Sequence, residues 1–308
     1  MIRRLAGEQQ YQLDPIERAY RLTAFLAEVA DHRYLANALV LKGGTALNLY
    51  LGATERLSVD ADLNFVGTLE TSELDEAKKQ VYQAVEAIAR ERGYAPEVLQ
   101  DTHALRAYTL RYKNANGGSN LIKLDLNFLD RATVTPPQQA KPPSIFNIEG
   151  PPVNCLSLTE LAGTKLATMM LRGAARDVFD VANLAWDKVD EPFARKIAIF
   201  HGLLDHPQLA NFDPQRAANL EKRHWDSDVR NLLRKGKDID MEATKANATK
   251  RASTVLPLQG EEVDCQRALV NGEWRPKLLF APFPHNGAIA KHPGMAWRIK
   301  NPDARLPT

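Results

Sequence analysis

The chain has 308 residues, of which 44% are hydrophobic and 25% charged, a composition that is ordinary for a globular protein. Its formal net charge of +2 is too small to indicate nucleic-acid binding through overall charge, so any basic surface has to be local. Cys155 and Cys265 show neither a disulfide framework nor metal-ligand spacing. There is no secretory signal, and no apolar run approaches the roughly 18–20 residues that a membrane span needs, so we expect a soluble, cytoplasmic monomer.

The first half of the chain mixes helical and strand patterns. A helix begins at Asp14, which can cap it, and the next residue is a proline, which fits the first helical position. A long amphipathic helix is predicted from about Glu73 to Arg92, with Gly93 ending it. The last two strands of this half flank a glycine-rich turn and form a hairpin. The predicted strands cover residues 38–41, 58–65, 104–112 and 120–128, and a short helix covers residues 45–51.

A proline-rich stretch at residues 136–152 separates this half from a mostly helical second half, which predicts domains at residues 1–150 and 151–308. The second half opens on a capping box, Ser157-Leu-Thr-Glu160. The fold class is therefore α+β, a small mixed sheet backed by helices and followed by a helical C-terminal domain. Helices are predicted at about 157–172, 176–186, 193–204 and 214–233, before a less regular tail that packs on the body.

The strand at residues 58–65 carries paired acids, Asp60 and Asp62. Side chains of a strand alternate between two faces, so the two carboxylates stand side by side. Such a pair is costly unless a cation neutralises it, and the Gly-Gly-Thr turn at residues 43–45 can offer backbone N–H groups to phosphate. This pattern favours a metal–nucleotide site. The alternative is an edge strand with a polar outer face.

A third acid, Asp125, lies on the polar face of the predicted strand 120–128. If that strand neighbours Asp60 and Asp62, the three carboxylates share one site. Such a set can bind two divalent cations and leave one carboxylate as base for an attacking hydroxyl. The alternative is that Asp125 is one polar residue of a half-exposed strand.

The helices of the second half carry charges among apolar residues. Lys165 and Arg172 are seven apart and share a helix face, and Arg176 and Asp180 are four apart and can pair. Charges in such a setting need partners. One interpretation directs Lys165 to nucleotide phosphates, with Asp180 orienting it or the base. The other makes Lys165–Asp180 or Arg176–Asp177 structural ties between helices.

Taken together and in order, these motifs resemble those of the AbiEii/AbiGii nucleotidyltransferase-like toxins. These are the toxin halves of abortive-infection toxin–antitoxin pairs and include the MenT-type enzymes of mycobacteria. The resemblance covers about residues 39–184, and residues 292–297 are similar to the family's C-terminal pattern. The motifs are Gly43-Gly44-Thr45, Arg56-x-Ser58-x-Asp60-x-Asp62, Lys123-x-Asp125, Lys165, and Arg176-Asp177-x-x-Asp180.

The resemblance implies a polymerase-β-like core and a role for each motif. It implies that Gly44 and Thr45 hold the triphosphate, and that Asp60 and Asp62 bind Mg²⁺ with Ser58 beside them. Lys165 and Asp180 match positions that the family needs for toxicity, and Asp125 matches less closely. The predicted catalytic residues are Asp60, Asp62, Asp125, Lys165 and Asp180. The predicted nucleotide-binding residues are Gly43, Gly44, Thr45, Ser58, Lys165 and Arg176.

The resemblance also implies an activity: nucleotidyl transfer from a nucleoside triphosphate to the 3′ end of tRNA, with release of pyrophosphate and a block of aminoacylation. A cognate antitoxin is the implied protein partner. Two alternatives stay open, a transferase that modifies a protein or small molecule, and a binding module without catalysis. A tRNA acceptor needs a basic surface, although acids interleave the candidates, so a solvated helix explains most of them. The candidates are Lys222, Arg223, Arg230, Arg234, Lys235 and Lys237.

Overall fold

The structure is a computed structural model that describes residues 1–306, and the strands of this part form one mixed sheet. They are β1 (Leu39–Lys42), β2 (Asp60–Phe65), β3 (Ala95–Asp101), β4 (Leu105–Lys113), β5 (Ser119–Asn127), β6 (Gln138–Ala140) and β7 (Val153–Cys155). Their order across the sheet is β3-β4-β5-β2-β1-β7-β6. The predicted mixed sheet is confirmed. The strand patterns at both edges of the sheet, β3 on one side and β7 and β6 on the other, were not predicted.

Helices precede, interrupt and follow the sheet. Those of the first half are α1 (Ile2–Glu8), α2 (Leu13–Asp31), α3 (Leu35–Ala38), α4 (Gly43–Thr45), which continues as a π-helical turn over Ala46–Tyr50, and α5 (Leu74–Glu91). Those of the second half are α6 (Leu158–Arg172), α7 (Ala175–Asn183), α8 (Glu191–Asp205), α9 (Lys222–Asp228), α10 (Met241–Ala252), α11 (Glu261–Val270), α12 (Lys277–Phe280) and α13 (Pro293–Lys300). The α+β class with a helical C-terminal region is confirmed.

The strand pairings decide which side chains meet. β2 runs antiparallel to β1, with Lys42 opposite Asp62, and parallel to β5, with Asp62 level with Asp125. β4 and β5 form the predicted antiparallel hairpin. Residues level with each other on adjacent strands point to the same face. Lys42, Asp62 and Asp125 therefore form a row across the centre of the sheet.

The opposite face of the sheet is apolar and packs against α2 and α5. Phe128, at the end of β5, lies 5.6 Å from the ring of Tyr82 on α5, centroid to centroid. On the α2 side, Phe25 meets Tyr94, which in turn meets Tyr112 of β4, each at about 6 Å. This aromatic layer fixes one face of the sheet, so Asp60, Asp62 and Asp125, which we call the carboxylate row, lie on the other face.

The capping box at the start of α6 forms only in part. Ser157 accepts a hydrogen bond from the Glu160 amide, as predicted. The Glu160 carboxylate does not return to the cap, because it accepts hydrogen bonds from the amides of Val134 and Thr135, both at 2.8 Å. Glu160 therefore ties the segment after β5 to α6 and holds the helical half against the sheet.

Two predictions for the second half are wrong. Residues 214–233 do not form one helix: a 3₁₀ turn, α9 and a second 3₁₀ turn replace it. The backbone of Leu220 and Glu221 is extended, with ψ of 123° and 146°, and this interrupts the predicted helix. The tail is also more regular than predicted, because most of its prolines and glycines fall between helices α10 to α13 and Pro293 stands in the first turn of α13, where proline is tolerated.

The tail packs on the body, as predicted, and His292 anchors it. The Nδ1 atom of His292 accepts a hydrogen bond from the Met295 amide and caps α13. Its proton therefore resides on Nε2, which donates to Asp130 at 2.8 Å. Asp130 also accepts a hydrogen bond from Asn64 of β2. The start of α13 is thus joined to the polar face of the sheet. No helix within residues 1–306 combines the length and the apolar composition needed to cross a membrane.

Candidate active site

Three carboxylates form the floor of a cleft on the polar face of the sheet. Asp60 and Asp62 stand two residues apart on β2, and Asp125 lies beside Asp62 on β5. Burial, together with the negative charges of Asp62 and Asp60, raises the pKa of Asp125 to about 6. The structure therefore brings together the three acids that the sequence placed on strand faces, and their mutual repulsion favours a bound cation.

Asp60 is held by two arginines. Its Oδ2 atom accepts a hydrogen bond from Arg176 of α7 at 2.9 Å, and its Oδ1 atom lies 3.4 Å from Arg18 of α2. The predicted pairing of Arg176 with Asp180 on the same helix is therefore wrong. Arg176, near the start of α7, extends across the cleft to the strand, which places its guanidinium at the candidate metal ligand.

The glycine turn fits closely under the site. Gly43 has φ of +66°, and a Cβ atom there would lie 2.3 Å from the Oδ2 atom of Asp62. At Gly44 a Cβ atom would lie 2.9 Å from Arg56 Nη2 and 3.1 Å from Ser58 Oγ. The backbone of this turn can therefore approach the carboxylate row only because both residues lack a side chain.

Thr45 and Ser58 are both buried at the base of this turn. The Thr45 hydroxyl contacts Ser58 Oγ at 2.9 Å and the backbone oxygen of Asp60. These contacts join the helix after the glycines to β2. They commit the Thr45 side chain to the protein, which leaves its backbone N–H as the group available to a phosphate. Ser58 lines the cleft beside Asp60.

Replacing Gly43 with alanine tests how closely this turn fits. We expect Gly43→Ala to lower the free energy of unfolding by more than the roughly 1–2 kcal/mol that a left-handed conformation costs an alanine, because its methyl group also meets Asp62. Gly52→Ala is the matched control, since Gly52 has φ of +58° with nothing within 4 Å of an added Cβ atom. Urea unfolding measures both variants, and equal losses would contradict the close fit.

A buried ionic network forms the wall of the cleft. Lys165 Nζ of α6 lies 2.9 Å from Asp177 and 2.8 Å from Asp180, both on α7. Asp180 also accepts two hydrogen bonds from Arg56, at 2.7 and 2.6 Å, and Arg172 binds Asp177 at 2.7 Å. The structure therefore contains the Lys165–Asp180 salt bridge, which was one of the two interpretations of Lys165 from the sequence.

Charge stabilisation in this network exceeds the cost of burial. Burial alone would raise the pKa of Asp180, but Arg56 and Lys165 hold it below its usual value. The same balance, with Lys165 and Arg172 as partners, keeps the pKa of Asp177 low. For Lys165, burial lowers the pKa while Asp177 and Asp180 raise it, and the net result is a raised pKa. All of these groups are therefore charged at neutral pH.

The cleft has a volume of about 310 Å³ and segregates its charges. The acids of β2 and β5 form the floor, and cations of α6, α7 and the loop before β2 form the facing wall. The charged side chains of the lining balance, five acids against five cations, so a divalent cation on the floor would give the cleft a net positive charge, which suits a polyphosphate. The lining residues are Gly44, Arg56, Ser58, Asp60, Asp62, Lys123, Asp125, Lys165, Arg172, Ala174, Arg176, Asp177 and Asp228.

The donor set fits a magnesium ion that is bound together with substrate. Within residues 1–306 no three His, Cys, Asp or Glu side chains converge closely enough to hold a metal ion by themselves. Mg²⁺, however, commonly takes one or two carboxylates and completes its shell with water and substrate phosphates. Asp60 and Asp62 can supply those two carboxylates, provided that the cation displaces an arginine from Asp60.

Three arginines of the site had no role in the sequence interpretation. Arg56 is buried and bidentate to Asp180, Arg172 binds Asp177, and Arg18 approaches Asp60. Arg56 opens the Arg-x-Ser-x-Asp-x-Asp run, so its position was a usable signal. Arg18 gave none, because it lies 42 residues before Asp60 and no local pattern joins them.

The basic residues of positions 222–237 are exposed, and several have local acidic partners. Arg223 pairs with Glu221 and Arg230 with Asp226, which matches the interpretation of a solvated surface. Arg234 differs, since it lies over the ring of Tyr11 and lines a large groove of about 810 Å³ on the far side of residues 48–57.

Comparisons with known proteins agree with this architecture. The family described as "Nucleotidyl transferase AbiEii toxin, Type IV TA system" matches residues 24–250. MenT4, a nucleotidyltransferase toxin from Mycobacterium tuberculosis, is similar in structure with a TM-score of 0.64 and 21% identity, over 85% of this chain and 91% of that chain. JHP933 from Helicobacter pylori has a TM-score of 0.49 and 18% identity, over 85% of this chain and 98% of that chain. No curated protein matches significantly.

The family match spans the glycine turn, the carboxylate row and the ionic wall. The fold of MenT4 resembles that of this chain over most of both lengths. The chain therefore belongs to the AbiEii nucleotidyltransferase toxin family of type IV toxin–antitoxin systems.

Proposed function

We propose that this nucleotidyltransferase is Mg²⁺-dependent and transfers a nucleotide from a nucleoside triphosphate to the 3′ acceptor end of tRNA, which blocks translation. The observation that carries the proposal is the row of Asp60, Asp62 and Asp125 facing a wall of cations across one cleft. Transfer of a phosphoryl group needs acidic side chains that bind a divalent metal ion. It also needs basic side chains opposite them that bind the phosphates.

The roles follow from the geometry. Asp60 and Asp62 are the ligands for Mg²⁺, which would supply positive charge at the reacting phosphate. Asp125 is the base: it lies level with Asp62 on the neighbouring strand, and it takes the proton of the acceptor hydroxyl. The hydroxyl oxygen then bonds to the α-phosphorus while the bond to pyrophosphate breaks.

The cleft wall supports the leaving pyrophosphate. Arg176 is half exposed and reaches the floor, so it can turn from Asp60 to a phosphate. Lys165 is buried against Asp177 and Asp180, so it contributes a fixed positive charge and holds the wall in place. Gly44 and the backbone of Thr45 complete the phosphate-binding side, because the first N–H groups of a helix have no intrahelical partner.

The partners follow from the same proposal. The substrates are a nucleoside triphosphate and tRNA, the cognate antitoxin is the protein partner, and the enzyme works as a monomer in the cytoplasm. The exposed basic side chains near Arg234, on the groove beside residues 48–57, are candidates for holding the tRNA backbone. A protein or a small molecule as acceptor would not need that surface.

Label transfer tests the proposal directly. Purified protein is incubated with Mg²⁺, total tRNA and each α-labelled nucleoside triphosphate, with Asp60→Ala as the inactive control. A labelled tRNA band that disappears in the variant supports the proposal and identifies the nucleotide. Label on protein or on a small molecule indicates the other transferase, and a complete lack of label points to a binding module.

A further inference from the structure

A second cavity of about 350 Å³ adjoins the cleft, and none of the roles above uses it. Asp62, Asp125 and Arg172 line both spaces, so the carboxylate row separates them. The new space, which we call the aliphatic cavity, lies between the ends of β1 and β5 and helices α6 and α8. Its volume falls in the range of small-ligand sites, about 300–1,000 Å³.

Leucines from several segments supply the apolar part of the cavity walls. Leu129, after β5, and Leu204 of α8 are buried, while Leu105 of β4 and Leu171 of α6 are partly exposed on opposite sides. Aliphatic walls around a cleft suit the faces of a flat ring, because burying a ring there removes apolar surface from water. They offer nothing to a phosphate.

The polar groups of the cavity are suited to hydrogen bonding. Burial lowers the pKa of His201 to about 4, so its imidazole is neutral at pH 7 and offers one donor and one acceptor. Thr164 donates its hydroxyl proton to the Glu160 carbonyl, so its contact with His201 Nε2 at 3.4 Å requires the proton on Nε2. Nδ1 of His201 remains as the acceptor, and Thr168 adds a hydroxyl oxygen.

The charges of the cavity exclude an anion. Its acids are Asp62, Asp125, Asp130 and Asp205, and its cations are Lys42, which lies 3.8 Å from Asp130, and Arg172, which is bound to Asp177. The cleft on the other side of the acids is lined by five cations and five acids, whereas the cavity has two cations and four acids. The two spaces thus match the two halves of a nucleotide.

We propose that the aliphatic cavity binds a nucleoside, an inference that rests on the function proposed above. The ring lies between the leucine walls, and Thr168 and His201 meet its polar edge. Two nucleosides have this chemistry in the reaction, the one in the incoming triphosphate and the one that ends the acceptor tRNA. Both must reach the carboxylate row, which the larger groove beside residues 48–57 does not touch.

Filling the cavity tests the inference. Thr168→Phe adds a phenyl ring from α6 into the space, and Thr249→Phe is the matched control, because Thr249 is also a partly exposed helical threonine but lines no part of the cavity. Calorimetric titration with Mg²⁺ measures binding of each nucleoside triphosphate and of inorganic tripolyphosphate. Label transfer to total tRNA measures KM for the acceptor.

Two results support the proposal and identify the source of the nucleoside. If it belongs to the triphosphate, Thr168→Phe weakens nucleotide binding by about tenfold or more and leaves tripolyphosphate binding unchanged. If it is the end of tRNA, nucleotide binding is unchanged and KM for tRNA rises by about tenfold or more. Thr249→Phe changes neither quantity.

The proposal is overturned if an active Thr168→Phe variant binds nucleotide as the wild type does and has the same KM for tRNA. The proposed nucleotidyl transfer would not be affected by that result. If the wild-type protein transfers no label, the proposed function fails and the titrations alone decide the cavity: nucleotide binding that Thr168→Phe leaves unchanged then overturns the proposal. If Thr168→Phe weakens the binding of nucleotide and of tripolyphosphate equally, the nucleoside proposal is overturned as well. Should Thr168→Phe not fold, Leu171→Trp fills the same space from the next turn of α6 and is measured in the same way.

Discussion

Replacing Asp60 with asparagine is expected to lower the rate of nucleotidyl transfer by about 10³-fold or more, because the substitution removes a negative charge from the proposed metal ligands. The fold should survive. Asp60 is partly exposed, and its bonds to Arg176 and Arg18 are accessible to water, so their loss costs at most about 1 kcal/mol. Label transfer to tRNA gives the rate, and thermal unfolding reports the fold.

Asp238→Asn is the matched control for this variant. Asp238 also belongs to an Asp-x-Asp sequence, but it is exposed on the segment before α10 and lines neither the cleft nor the aliphatic cavity. It should transfer label at the wild-type rate. A folded Asp60→Asn variant that transfers within tenfold of the wild type would contradict the role of Asp60 as a metal ligand.

The floor of the site could be predicted from the sequence because strand periodicity is a local property. Alternation placed Asp60 and Asp62 on one face without knowledge of the fold, and it placed Asp125 on the polar face of its own strand. That the two strands are neighbours is not local. β2 and β5 pair in parallel, with a helix and two strands between them in the chain, so their register follows from packing of the whole sheet.

The wall of the site was predicted less well, because its partners are far apart in sequence. Spacing on one helix favoured Arg176 with Asp180, yet Asp180 faces the interior and binds Arg56, 124 residues away. A buried carboxylate requires cations, and the tertiary structure supplies Arg56 and Lys165. Arg176 is therefore free to reach Asp60. Helical spacing gives the possible pairs, and burial selects among them.

The same physics explains the helices that were wrong. The apolar residues of positions 214–233 were compatible with one helix, but Trp225 and Leu232 are buried in an irregular segment. That segment closes the ionic wall, since the amide of Leu57, next to Arg56, bonds to the carbonyl of Leu232. The backbone of this segment is also extended at Leu220 and Glu221, which a continuous helix does not allow. Long-range pairing therefore overrides the local preference at the point where the site is built.

Arg56→Met is expected to lower the free energy of unfolding by about 3–5 kcal/mol, the cost of removing one partner from a buried ion pair. Arg56 and Asp180 are both almost fully buried and share two hydrogen bonds. Methionine is about as long as the aliphatic part of arginine, so the substitution leaves little empty space. The loss of stability therefore comes mainly from the unpaired charge of Asp180. Urea unfolding measures it, and transfer activity should fall as well, since Arg56 lines the cleft.

Arg111→Met is the control that removes an exposed ion pair instead of a buried one. Arg111 binds Glu97 at 3.0 Å, but both side chains are about half exposed, so this substitution should cost no more than about 1 kcal/mol. In the double variant Arg56→Met/Asp180→Leu the buried charge is also gone, and the total loss should be smaller than the sum of the two single losses. If Arg56→Met were no more destabilising than Arg111→Met, or if the two losses at Arg56 and Asp180 simply added, the wall would not depend on this pair. Lys165 would still be held in place by Asp177 and Asp180, because both carboxylates contact its Nζ atom.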